Sequence, residues 1–196
     1  MFQRRSPQTI VLCFVFLAFF TWLDLWTKHW ATQALPCDPA ASESCRNIPG
    51  KPPGRRAGIE LVPGYLDLAY AENRGMAFSL LSDAPAWVRT TLFTASAVVF
   101  TAVLIWMLLT HQGGPLLAWS VPLIVSGALG NMVDRWRLGY VVDFIRFHIH
   151  DGWEWPTFNV ADCTILVGFV LLLIDGMQKP GTADGRAGPH PAADTP

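Results

Sequence analysis

Between Ser126 and Asp162 the chain sets carboxylates and carboxamides directly against long apolar runs. Asn131 and Asp134 stand three apart near the end of one run, and Asn159 and Asp162 three apart at the start of the next. Asp143 lies between the pairs, in the apolar stretch Tyr-Val-Val-Asp-Phe-Ile. A carboxylate where an apolar span meets water is costly to keep, and such groups are usually functional. This pattern restricts the chain to folds that place polar chemistry at a membrane boundary.

Composition supports that restriction. Of 196 residues, 52% are hydrophobic and 15% charged, the balance of an integral membrane protein rather than a soluble globule. A net charge of −1 gives no basic face for a nucleic acid. Nine Trp and twelve Phe fit aromatic belts at membrane interfaces.

Four spans are predicted, at about residues 9–33, 86–110, 116–133 and 159–177, within one membrane-embedded domain covering 1–178. Arg4 and Arg5 before the first run also describe a signal peptide, but this run is long for one, carries Asp24 and Lys28, and has Pro36 where a small residue is wanted. Residues 34–58 read as a Pro-, Gly- and Ser-rich insert. Residues 59–83, broken by Pro63-Gly64 and Arg74-Gly75, read as short strands, the sole β region expected. The tail 179–196 reads as disordered. Cys13 and Cys163 fall in apolar spans as inert packing residues, whereas Cys37 and Cys45, eight apart in the insert, form a disulfide if that loop is extracytoplasmic and stay free thiols otherwise. Four spans put both termini on one side, and Arg4, Arg5, Lys179 and Arg186 favour the cytoplasm. Eight Lys or Arg in the two loops that would then face outward argue the other way, so charge alone leaves the orientation open.

The polar residues carry structural readings beside the functional ones. Asp24 and Lys28, four apart on one helix face, can simply neutralise each other and snorkel toward the interface. Asp134 beside Arg135 reads as a structural ion pair at a helix terminus. Asp143 has no basic neighbour for two residues on either side, and Asp162 opens a span where free backbone N–H groups favour an anion. Converging on one water, these two carboxylates would serve as base and acid in peptide hydrolysis; the alternative is helix capping plus a loop acid. His148, His150 and Asp151 lack a third spaced ligand for a metal site. A transporter relay would stagger its acids through the bilayer, whereas Asp134, Asp143 and Asp162 gather at span ends and only the first span carries charge within a helix. A scaffold protein would use the same groups only to pack helices.

At five places the chain resembles the bacterial lipoprotein signal peptidases (signal peptidase II). They are Asp24–Lys28, Asn73-Arg-Gly-Met-Ala-Phe78, Gly130-Asn-Met-Val-Asp-Arg135, Val141-Val-Asp-Phe144 and Phe158-Asn-Val-Ala-Asp162. The resemblance implies an all-α membrane protein of four transmembrane helices, with a small extracytoplasmic β-cradle between the first two. It implies a catalytic dyad of Asp143 and Asp162, site-lining Asn73, Asn131, Arg135 and Asn159, and structural Asp24, Lys28 and Asp134. It further implies an aspartic endopeptidase without metal or cofactor, a monomer among membrane lipids of the bacterial inner membrane. Both termini would be cytoplasmic and the site near the outer face. Its substrates would be diacylglyceryl-modified prolipoproteins, cut on the N-terminal side of the lipidated cysteine. The insert 34–58 is longer and richer in Pro and Cys than the family's connection, and Cys163 stands where a serine is frequent. In the proposed dyad the resting proton is expected on Asp143, amid apolar neighbours, rather than on Asp162.

Overall fold

The computed structural model describes residues 6–35, 58–74, 85–110, 114–150 and 152–178. Cys37, Cys45, most of the insert, residues 75–83 of the expected cradle and the tail from Lys179 lie outside the described residues. In chain order the elements are α1 (Pro7–Ala34), β1 (Ile59–Val62), β2 (Leu66–Asn73), α2 (Ala86–Leu109), α3 (Leu117–Leu138), β3 (Val141–Ile149), β4 (Trp153–Glu154) and α4 (Val160–Met177).

Local chemistry sets the helix ends. Ser6 caps α1 by accepting the Thr9 N–H at 3.2 Å, with Pro7 in the first turn where its missing N–H costs nothing. Asn159 and Asp162 cap α4 reciprocally, each side chain accepting the other's backbone N–H. Gly139 stops α3 with a left-handed φ of 81° and returns its N–H to the Arg135 carbonyl. Pro122 inside α3 leaves the Ala118 carbonyl without its helical donor, and the Cys13 thiol of α1 donates to that oxygen at 3.1 Å. Cys13 is therefore more than inert packing.

Helix α3 is the centre of the bundle, touching α1, α2 and α4, whereas α2 packs on α3 alone among the described helices. Gly127 and Gly168 permit the close approach of α3 and α4. A Cβ on Gly127 would meet the Ala161 carbonyl and Thr164 of α4, and one on Gly168 would meet Ile124 and the Ser120 carbonyl of α3. Three helices, α1, α3 and α4, are long and apolar enough to cross a membrane, while in α2 the apolar stretch is the shorter Thr94–Leu109.

Two sequence expectations are corrected. The β structure is not confined to 59–83, because β1-β2-β3-β4 form one antiparallel sheet whose second half comes from the connection between α3 and α4. Val141, Val142, Phe144 and Ile145 pack as strand residues there, and β3 finds its partner in β2, with Ala71 opposite Asp143 and Asn73 opposite Val141. Helix α3 also runs past the expected end at Val133 to Leu138, held until Gly139. The inner face of the sheet, Tyr70, Val142 and Phe144, packs on Ala31 and Leu35 at the end of α1. That apolar contact fixes β3, and so Asp143, over the end of the bundle.

Candidate active site

The end of α1, the end of α3 and the start of α4 meet beneath β3. Asp143 from β3 is 1% exposed, and Asn159, the residue capping α4, is 0% exposed. Asn159 Nδ2 donates to Asp143 Oδ1 at 2.6 Å, and the Asn159 backbone N–H reaches Asp162 Oδ2 at 3.2 Å. One residue thus joins the two carboxylates. Asn73 Nδ2, from the end of β2, donates to Asp143 Oδ2 at 2.9 Å, and Asn131 Nδ2, from α3, donates to Asp162 Oδ1 at 3.0 Å. Each of the four carboxylate oxygens therefore faces an N–H donor.

Burial, and secondarily the charge of Asp162, push the Asp143 carboxyl up from the usual 3.8 to about 7, against the opposing pull of the Asn73 and Asn159 hydrogen bonds and of Lys28. Near neutral pH Asp143 can hold a proton while a neighbouring carboxylate lacks one, which is what acid–base work on a single water requires. Asp162 does act as a helix cap, as the structural alternative supposed, but only Oδ2 is used for it. The other oxygen turns to Asn131.

Lys28 is the cation beneath this pair. Its ammonium lies 2.8 Å from Asp24 Oδ2 and 3.2 Å from Asp134 Oδ2, pairing with both carboxylates, and donates a hydrogen bond to Asn131 Oδ1 at 2.8 Å. Asp24 also accepts the Ala161 N–H of α4 at 2.9 Å, and Asp134 accepts the Val142 N–H of β3 at 3.1 Å. Asp24 and Lys28 are 1% and 2% exposed, so they do not snorkel to the interface; they tie three helices and the sheet together. Asp134 pairs with Lys28, a partner that the sequence did not suggest. The adjacent Arg135 donates to the Asn131 carbonyl at 3.2 Å, and its guanidinium interacts electrostatically with Asp162, Asp143 and Asp134.

The nine polar residues that the resemblance assigned to the site and its support, namely Asp24, Lys28, Asn73, Asn131, Asp134, Arg135, Asp143, Asn159 and Asp162, meet in this one assembly. Gly130 was quoted only as part of a motif, yet a Cβ there would land on Asp24 Oδ2. Asp175 was missed altogether. It is a buried charge inside α4, contrary to the expectation that only the first span carries one, and it lies at the opposite end of the bundle. There it accepts the N–H groups of Gly114, Leu116 and Leu117, donors that the start of α3 would otherwise leave unpaired. His148 is held by Asp67, 3.2 Å away, which also binds Arg146 at 2.5 Å. No group of three His, Cys, Asp or Glu side chains positioned for a metal occurs among the described residues.

The family model described as signal peptidase (SPase) II matches residues 16–178. A lipoprotein signal peptidase of Ralstonia nicotianae is 45% identical over 118 residues, 60% of this chain and 67% of that protein. One from Oleidesulfovibrio alaskensis is 36% identical over 154 residues, 78% of this chain and 86% of that protein. A solved bacterial membrane enzyme superposes with a TM-score of 0.68 over 91% of this chain and 98% of its own, at 22% identity, which shows a shared fold. By the extent of the family match and the identity of these relatives, the chain belongs to the signal peptidase II family, membrane proteases of lipoprotein processing.

Proposed function

We propose that this protein is an aspartic endopeptidase that removes signal peptides from diacylglyceryl-modified prolipoproteins, with Asp143 and Asp162 as its catalytic dyad. The observation that carries the reading is the joining of the two carboxylates through Asn159, with a donor on every oxygen and a raised proton affinity at Asp143. In the reaction, ionised Asp162 takes a proton from water as the water oxygen attacks the scissile carbonyl carbon. Asp143 then gives its proton to the amide nitrogen as the C–N bond breaks. The products are a signal peptide ending in a carboxylate and a lipoprotein beginning with the lipidated cysteine. Proton exchange between the two carboxyls restores the resting state, and no cofactor enters.

Four spans, with both termini in the cytoplasm of a bacterial inner membrane, place the site near the outer face, where a lipid-bearing substrate can enter sideways from the bilayer. Support for this placement comes from the helix directions. The start of α1 and the end of α4 lie at the end opposite the dyad, and Arg4 and Arg5 precede the first span. At 24 residues α2 is also long enough to cross, by the 1.5 Å rise per residue of a helix. The monomer suffices, because all nine polar residues of the site come from one chain.

Purified protein in detergent should cleave a diacylglyceryl-modified prolipoprotein and leave the unmodified precursor intact, with mass spectrometry locating the new N-terminus at the lipidated cysteine. Absence of cleavage, or equal cleavage of the unmodified precursor, would refute the substrate assignment.

A further inference from the structure

The geometry points to Lys28 as a positioning residue that fixes which way the Asn131 amide faces, and through it supplies the N–H donor to Asp162. This rests on the dyad reading above and adds to it a role for a cation whose own partners are Asn131, Asp24 and Asp134.

The argument is one of donors and acceptors. The two ends of a carboxamide have nearly the same shape, so an asparagine between two partners is oriented only by what those partners can give or accept. An ammonium can only donate. With Lys28 Nζ at 2.8 Å, the Asn131 oxygen must face Lys28, and the NH2 group must face Asp162 Oδ1, 3.0 Å away. The reversed amide would set N–H against N–H on one side and oxygen against a carboxylate on the other. Asn159 follows the same polarity. Its Nδ2 lies 3.1 Å from Asn131 Oδ1 and 2.6 Å from Asp143 Oδ1, while its own oxygen takes the Asp162 N–H at 3.0 Å. A directional chain therefore runs from the ammonium through Asn131 to Asp162, while Asn159 donates separately to the same Asn131 oxygen and to Asp143.

Neutralisation alone does not account for this arrangement. Lys28 already stands between two carboxylates, Asp24 from α1 and Asp134 from α3, so its single charge is outnumbered where it sits. The other charged or titratable groups around the dyad are Arg135 from α3 and the Cys163 thiol next to Asp162. What Lys28 adds is the shorter of two donors to the Asn131 oxygen, at 2.8 Å beside Asn159 Nδ2 at 3.1 Å, with Asp24 in turn anchored by the Ala161 N–H and given room by Gly130.

The test is a double-mutant cycle in purified, detergent-solubilised protein cleaving lipid-modified prolipoprotein. Its members are wild type, Lys28→Met/Asp24→Asn (a charge-conserving exchange), Asn131→Ala and the combination, with Asp143→Asn as the inactive reference. Loss of an orienting partner typically costs on the order of 10- to 100-fold, so kcat should fall by that factor in each arm with KM within about twofold. The combination should be no worse than Asn131→Ala alone, because both act on the same hydrogen bond. Losses that multiply, or a lowered Tm with unchanged kcat in the folded protein, would overturn the positioning role. Should the exchange fail to fold, Lys28→Gln keeps the volume but offers either end of an amide to Asn131; it should show the same kcat loss, and full kcat would overturn the proposal. A wild type that cleaves, beside an Asp143→Asn variant that also cleaves, would instead bring down the dyad and this inference with it.

Discussion

At the scale of residues, the candidate site gives two like groups unlike surroundings. Asp143 is enclosed by the sheet and the bundle, and its carboxyl is raised to about 7, first by burial and then by the charge of Asp162. Folding therefore favours its protonated form, so this contribution to stability is present in acid and is lost as pH rises through about 7. Activity should follow the same proton. A kcat/KM profile on lipid-modified substrate should show an alkaline limb near pH 7, where Asp143 ceases to be able to protonate the departing amine. A profile flat from pH 6 to about 9 would show that Asp143 is not the acid. The sequence made Asp143 and Asp162 legible through family motifs and through their lack of basic neighbours. It could not show that Asn159 joins them, because that contact depends on the register of β3 over the start of α4. For the same reason Lys28 looked like a surface pair: spacing four apart reveals a shared helix face but not what covers it.

At the scale of elements, buried polar groups and glycines at close crossings hold the helices in place. Asp175 closes the start of α3 from across the bundle, so Asp175→Ala should remove the carboxylate that accepts three backbone N–H groups and cost about 1–3 kcal/mol. Thermal unfolding in detergent would measure this as a lower Tm, while turnover by the protein that remains folded should stay unchanged, since the dyad lies at the far end. Gly127→Ala should act nearer the site. Its new Cβ collides with the Ala161 carbonyl and Thr164, prying the start of α4 from α3. A loss of about 1–3 kcal/mol is expected for such overpacking, together with a fall in kcat that Asp175→Ala does not share. The helices themselves were legible within a few residues because apolar runs and caps announce them. The sheet was half legible. Alternation and turns marked 59–73, but Val141–Ile149 mixes apolar residues with Asp143, Arg146 and His148 in no strict alternation, and pairing with β2, not local pattern, makes it a strand.

At the scale of the whole molecule, α1 and α3 end, and α4 begins, at the same place, so three apolar helices deliver their polar termini to one patch under the sheet. Both strand pairs hang from that end. The proposed cytoplasmic termini would put the turn between β3 and β4 on the outer side of the membrane. In a variant whose native cysteines are replaced by serine, Gly152→Cys should react with an impermeant maleimide added to intact cells. Gln178→Cys, just beyond α4, should react only after the membrane is permeabilised. The reverse pattern would invert the topology and place the site at the cytoplasmic face. Charge counting could not decide this from sequence, because several of the basic residues counted as outward are engaged within the fold. Arg146 binds Asp67, and Arg135 turns back to Asn131.

The most direct test is turnover of a diacylglyceryl-modified prolipoprotein by wild type, Asp143→Asn and Asp162→Asn, each checked for intact folding by its thermal transition. Cleavage by wild type, with turnover reduced by at least about a thousandfold in both folded variants, is the predicted result. Substantial turnover by either variant would contradict the dyad.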